Sequence, residues 1–111
     1  MSKSKFLGEF EVLVLAALTR LGDEAYGVAI ANEIGARAER QVSIGALYAT
    51  LARLEAKQYV ISRLGESTAR RGGRAKRYYR LTMKGEEQLE RSARMLCSML
   101  RGLPGWATPD P

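Results

Sequence analysis

The sequence predicts a mainly α fold with a small β-hairpin: a winged helix-turn-helix followed by a C-terminal dimerisation helix. Three observations lead there. Three helical apolar patterns precede residue 58, two strand-like runs flank a glycine-containing basic segment, and a last helical stripe follows. A length of 111 residues suits one domain with one appended element. The boundaries are placed at 1–82 for the helix-turn-helix and wing, 83–103 for the dimerisation helix and 104–111 for a flexible tail.

The first helix runs from Glu9 to Leu21 and is apolar almost all round, with Phe10, Val12, Leu13, Val14, Leu15, Leu18 and Leu21. Lys3 and Lys5 ahead of it resemble the start of a signal peptide. However, Glu9 and Glu11 leave an unbroken apolar run of only Val12 to Leu18, too short to cross a bilayer. A helix apolar on most faces must be covered on most faces, by its own domain or a partner subunit. Gly22 and Asp23 stop it.

A second helix is expected from about Tyr26 to Ala36, striped by Ile30 and Ile34. Ser43 is a good N-cap for a third, ending near Lys57, in which Leu47, Leu51 and Leu54 recur at helical spacing and face the core. Two helices joined by a tight turn form a helix-turn-helix. The runs Tyr59 to Leu64 and Lys76 to Thr82 are strand-like, and Gly65 to Ala75 between them is a long hairpin tip.

The last helix begins near Thr82, with Glu86 and Glu87 suited to its positive end. Leu89, Ala93, Leu96, Leu100 and Leu103 form a narrow seam along it. Either the seam closes a homodimer together with Leu13 of the first helix, or it docks within the subunit. Pro104, Pro109 and Pro111 mark the tail.

Net charge is +6, and its placement matters more than its size. Arg63, Arg70, Arg71, Arg74, Lys76, Arg77 and Arg80 are balanced only by Glu66 within their stretch. Elsewhere basic and acidic residues number eleven each. A neutral body with one basic segment is a localised polyanion site, or else a solvated loop. Arginine outnumbers lysine six to one there, and guanidinium forks match phosphate oxygens, which favours nucleic acid.

Catalysis is not indicated. The chain has no histidine, which removes the commonest general base and metal ligand, and it has neither standard phosphate-loop pattern. No metal or cofactor is expected. The one cysteine, Cys97, excludes an internal disulfide, suits a reducing cytoplasm and reads as a small hydrophobe.

The stretch Val42-Ser-Ile-Gly-Ala-Leu-Tyr-Ala-Thr-Leu-Ala-Arg-Leu-Glu55 resembles the recognition helix of PadR-family transcriptional regulators. Ala25-Tyr26-Gly27 resembles the family's Tyr-Gly before the second helix. Gly73-Arg-Ala-Lys-Arg-Tyr-Tyr-Arg-Leu-Thr82, with Gly85, resembles its wing strand and last-helix start. The resemblance covers roughly residues 8 to 100. It implies a homodimeric, repressor-type regulator of double-stranded operator DNA from the branch with a single C-terminal helix. It also implies that a small-molecule effector, of unknown identity, could bind between subunits; Trp106 is a candidate for stacking on it. Three positions depart from the pattern. Ala46 and Ala49 stand where Thr and Pro are usual, and Gln58 stands where glycine commonly follows the helix, implying strain of about 1 kcal/mol or a different cap.

On a helical wheel the third helix turns Gly45, Ala49, Ala52 and Ala56 away from its leucine stripe, with Thr50, Arg53 and Lys57 on one flank and Tyr48 and Glu55 on the other. Such a smooth strip either is plain solvated helix or lies close in a major groove, offering methyl contacts and few hydrogen bonds to bases. The expected DNA surface is therefore Ser43, Gly45, Ala46, Tyr48, Ala49 and Arg53 on the helix. Arg70, Arg71, Arg74, Lys76, Arg77 and Tyr78 complete it on the wing. Tyr79, facing opposite to Tyr78, is expected in the core. The competing reading is a winged-helix module for RNA or an acidic protein partner.

Overall fold

The computed structural model describes residues 6–65 and 75–106, and within them the predicted order of elements is present. Four helices and two strands follow as α1 (Glu9–Leu21), α2 (Gly27–Ala38), α3 (Ile44–Ala56), β1 (Val60–Leu64), β2 (Arg77–Leu81) and α4 (Met83–Leu100). A 3₁₀ turn, Gly22–Glu24, links α1 to α2. The fold is the mainly helical winged helix-turn-helix that the periodicities predict.

The core forms where the apolar stripes meet. Val14, Leu15, Ala17 and Leu18 of α1, Ile30 and Ile34 of α2, and Leu47, Leu51 and Leu54 of α3 are all buried. Val60 and Tyr79 of the hairpin close the same cluster. Thr50 departs from its expected place on the flank. It is 2% exposed and completes the α3 stripe, with its hydroxyl accepting a hydrogen bond from Arg53 Nη2 at 3.0 Å. Burial of that hydroxyl is tolerable because it has a partner.

The helix ends follow capping chemistry. Ser43 Oγ accepts from Ala46 N–H at 3.2 Å at the start of α3. Gly22 ends α1 with φ 59°, its N–H returning to the Leu18 carbonyl. After α3 the chain turns through Gln58 at φ 66°, the left-handed conformation that its position implied.

β1 and β2 pair antiparallel, Val60 opposite Leu81 and Leu64 opposite Arg77. The hairpin is fastened to the helical body at two points. Tyr79 N–H donates to the Ala25 carbonyl at 2.8 Å within an isolated bridge between Tyr26 and Tyr78. Thr82 supplies the second. Its N–H donates to Tyr59 O at 3.0 Å, its hydroxyl donates to Gln58 O at 2.7 Å, and the same oxygen accepts from Gly85 N–H at 3.0 Å as the N-cap of α4. Gly85 is buried so tightly on the Tyr59 carbonyl that a β-carbon there would overlap backbone.

α4 rests on its own domain through its first half. Gly85 and Ser92 are buried, Leu89 packs against the core, and Leu7 N–H donates to Ser92 Oγ at 3.2 Å. Leu89 and Leu13 therefore both lie half-buried against their own core. Ala93 and Leu96 are exposed and Leu100 is half-buried. Leu103 is not on the helix. Arg101 is extended, Gly102 takes φ 87°, and a residue before proline disfavours helix, so the turn of α4 ends at Leu100. Where the expected tail begins, the chain turns through Pro104 and Gly105, and Trp106 N–H donates to the Leu103 carbonyl.

Candidate nucleic-acid interface

α3 presents the smooth strip that the wheel predicts. Ser43, Gly45, Ala46, Tyr48, Ala49, Ala52 and Arg53 are exposed along one side, opposite the buried leucines. Arg53 bends back along the helix onto Thr50.

The base of the hairpin joins this side of α3. A groove is lined by Tyr26, Gly27 and Val28 at the start of α2, by Tyr48 of α3, and by Leu64, Lys76 and Arg77 of the hairpin. Period-two alternation puts Ser62 and Arg77 on the hairpin face toward α3. Arg77 Nη1 donates to Ser62 Oγ at 2.9 Å, and Ser62 Oγ donates to the Glu55 carboxylate at 2.9 Å. That relay ties the end of α3 to both strands. Lys76 Nζ lies 4.1 Å from the centre of the Tyr26 ring, a cation–π contact. At the floor of the groove the Tyr48 hydroxyl comes so close to buried Gly27 that a β-carbon there would overlap it.

Tyr78 is placed elsewhere. The same alternation that turns Arg77 toward α3 turns Tyr78 to the opposite face, beside Ile61, Arg63, Arg80 and Asp23. Its ring meets Tyr26 edge to face with centroids 5.6 Å apart, and the Arg63 guanidinium lies over it at 4.8 Å. Tyr79 is buried as expected. Burial pushes its phenol pKa upward, with Tyr48 and Glu55 adding to the shift and Arg77 opposing it.

The structure thus brings together Ser43, Gly45, Ala46, Tyr48, Ala49 and Arg53 on α3, and Lys76 and Arg77 beside Tyr48. It does not bring Tyr78 with them. Arg70, Arg71 and Arg74 lie outside the described residues. Tyr26, Gly27 and Ser62 were not assigned to the surface from sequence. Strand alternation signals Ser62, which it sets on the face of Val60 and Leu64, and the Tyr-Gly motif before α2 signals Tyr26 and Gly27 without showing what they touch.

Residues 14–91 match the model of the transcriptional regulator PadR-like family. The chain belongs to that family. PadR-family proteins are transcription regulators rather than enzymes, so the expectation from the missing histidine agrees with the family. Solved structures agree in fold. A PadR family transcription regulator from Clostridium difficile is 29% identical over 84% of this chain and 95% of its own, with a TM-score of 0.67. A PadR-like transcription factor from Bacteroides fragilis is 30% identical over 82% and 85%, with a TM-score of 0.66. Bacillus subtilis PadR, solved in complex with operator DNA, shares the fold at 18% identity over 92% of this chain and 54% of its own, with a TM-score of 0.63. No curated protein matches the chain. Among the described residues, no helix is long and apolar enough to cross a membrane.

Proposed function

We propose that this PadR-family regulator represses transcription as a cytoplasmic homodimer bound to double-stranded operator DNA. α3 lies in the major groove and the basic wing follows the phosphate backbone. One observation supports this most directly: Tyr48 of α3 and Lys76 and Arg77 of the hairpin line a single groove, so helix and wing offer one surface to a duplex. That Bacillus subtilis PadR is solved in complex with operator DNA is in keeping with it.

The small residues of α3 supply few hydrogen bonds to base edges, so affinity comes chiefly from phosphate contacts by Ser43, Tyr48 and the wing cations. Specificity then rests on Arg53, the helix start and DNA shape. A selection of bound sequences from random duplexes, followed by titration of the winner against salt, tests the reading. With about three phosphate contacts per wing in a dimer, the log–log slope is expected near about −5. A slope near zero, or equal binding to RNA and acidic protein, overturns it.

A further inference from the structure

The hairpin base contains an alternating stack that the groove alone does not explain. Lys76 Nζ lies over the Tyr26 ring at 4.1 Å, Tyr26 meets Tyr78 edge to face at 5.6 Å, and the Arg63 guanidinium lies over Tyr78 at 4.8 Å. Two rings, one from the entry to α2 and one from β2, are thus enclosed between two cations of the hairpin. The backbone repeats the connection through the Tyr26–Tyr78 bridge and the Tyr79 N–H to Ala25 carbonyl bond. A lysine has three rotatable donors on a flexible stem, and unrestrained it would sample many directions. The Tyr26 face limits that freedom and holds the ammonium at the groove that Tyr48 also lines.

We propose that Tyr26 is a positioning residue for polyanion binding: its ring holds Lys76 at the mouth of the groove between α3 and the wing. The inference rests on the DNA-binding reading above. Tyr26 acts through the lysine and through the angle of the hairpin, not by touching the nucleic acid. Its π face, rather than its hydroxyl, is the feature that matters.

The experiment separates three variants, Tyr26→Phe, Tyr26→Leu and Lys76→Met, in the full chain. In the free protein, the Lys76 side-chain methylene protons are expected to show an upfield ring-current shift in the NMR spectrum. Tyr26→Phe keeps that shift and Tyr26→Leu removes it. On a selected duplex, Tyr26→Leu is expected to bind about three- to tenfold more weakly at low salt. Its salt slope should be shallower by about 1–2 for two subunits. Tyr26→Phe should restore both values. Lys76→Met should cost as much as Tyr26→Leu and add little to it in the double variant, because the two changes remove one interaction. Equal slopes for wild type and Tyr26→Leu, or full additivity with Lys76→Met, overturn the proposal while leaving the DNA reading intact. A flat slope for the wild type overturns the DNA reading instead, and the ring-current shift still reports whether the stack exists. Should Tyr26→Leu fail to fold, the free wild-type protein decides the case: Lys76 methylene resonances without an upfield shift overturn the proposal.

Discussion

Gln58 holds φ 66° because the chain must turn sharply from α3 into β1, and Thr82 rewards the turn by donating to its carbonyl. A side chain in that region is strained, whereas glycine enters it freely. Gln58→Gly is therefore expected to stabilise the fold by about 0.5–1 kcal/mol, measured by urea denaturation. Two close approaches of glycine behave oppositely. At Gly85 an added methyl meets the Tyr59 backbone, so Gly85→Ala should destabilise by about 1–3 kcal/mol. At Gly27 it meets only the far end of the Tyr48 side chain, which can swing aside. Gly27→Ala should thus weaken duplex binding several-fold with a much smaller change in the denaturation midpoint. A large midpoint loss at Gly27 would contradict the assignment. Tyr79 adds a pH term. Burial raises its folded pKa above the unfolded value of about 10, so its contribution is complete below pH 10 and is lost as pH rises through that region. Melts between pH 8 and 11 should show the decline, and Tyr79→Phe should remove that part of it.

On the DNA-binding reading proposed above, the hairpin is the element whose charge matters. Replacing Arg70, Arg71 and Arg74 together with alanine should weaken binding to all duplexes alike and flatten the salt slope, since phosphate contacts read no sequence. Selective loss on one operator, measured by competition titration, would show that the wing reads bases. The helices and strands themselves were legible because periods of 3.6 and 2 are local properties of the chain. Thr50 escaped because a polar β-branched residue hides in a leucine stripe, and only tertiary burial shows that it completes it. The apolar spacing extends α4 to Leu103, whereas Gly102 and Pro104 break the backbone and end the helix three residues earlier, at Leu100. Strand alternation alone sets Tyr78 on the DNA surface for a related reason. Alternation tells which side chains share a face but not which face α3 covers. Contacts such as Gly27 with Tyr48 link distant parts of the chain and leave no local pattern.

At the scale of the whole molecule, the distal half of α4 leaves apolar side chains in the open. Leu96 is 46% exposed and Met99 73%, while Gly85, Leu89 and Ser92 are the stripe used within the subunit. The predicted seam is thus divided: Leu89 packs within the subunit, while Ala93 and Leu96 are exposed. On the homodimer reading, Leu96→Asp should shift the chain to monomer in sedimentation velocity. It should also roughly halve the salt slope, as each monomer offers one wing. An unchanged dimer would move the contact elsewhere, toward the first helix.

The junction at Thr82 has a further consequence. One residue ends the second strand, closes the turn after α3 and opens α4, so no slack chain separates α3 and the hairpin from the long helix. The direction in which α4 leaves the body is consequently as rigid as the body. Two subunits clasped along that helix would hold their reading surfaces at a set separation. The distance between operator half-sites would then be written into a threonine and the glycine three residues after it.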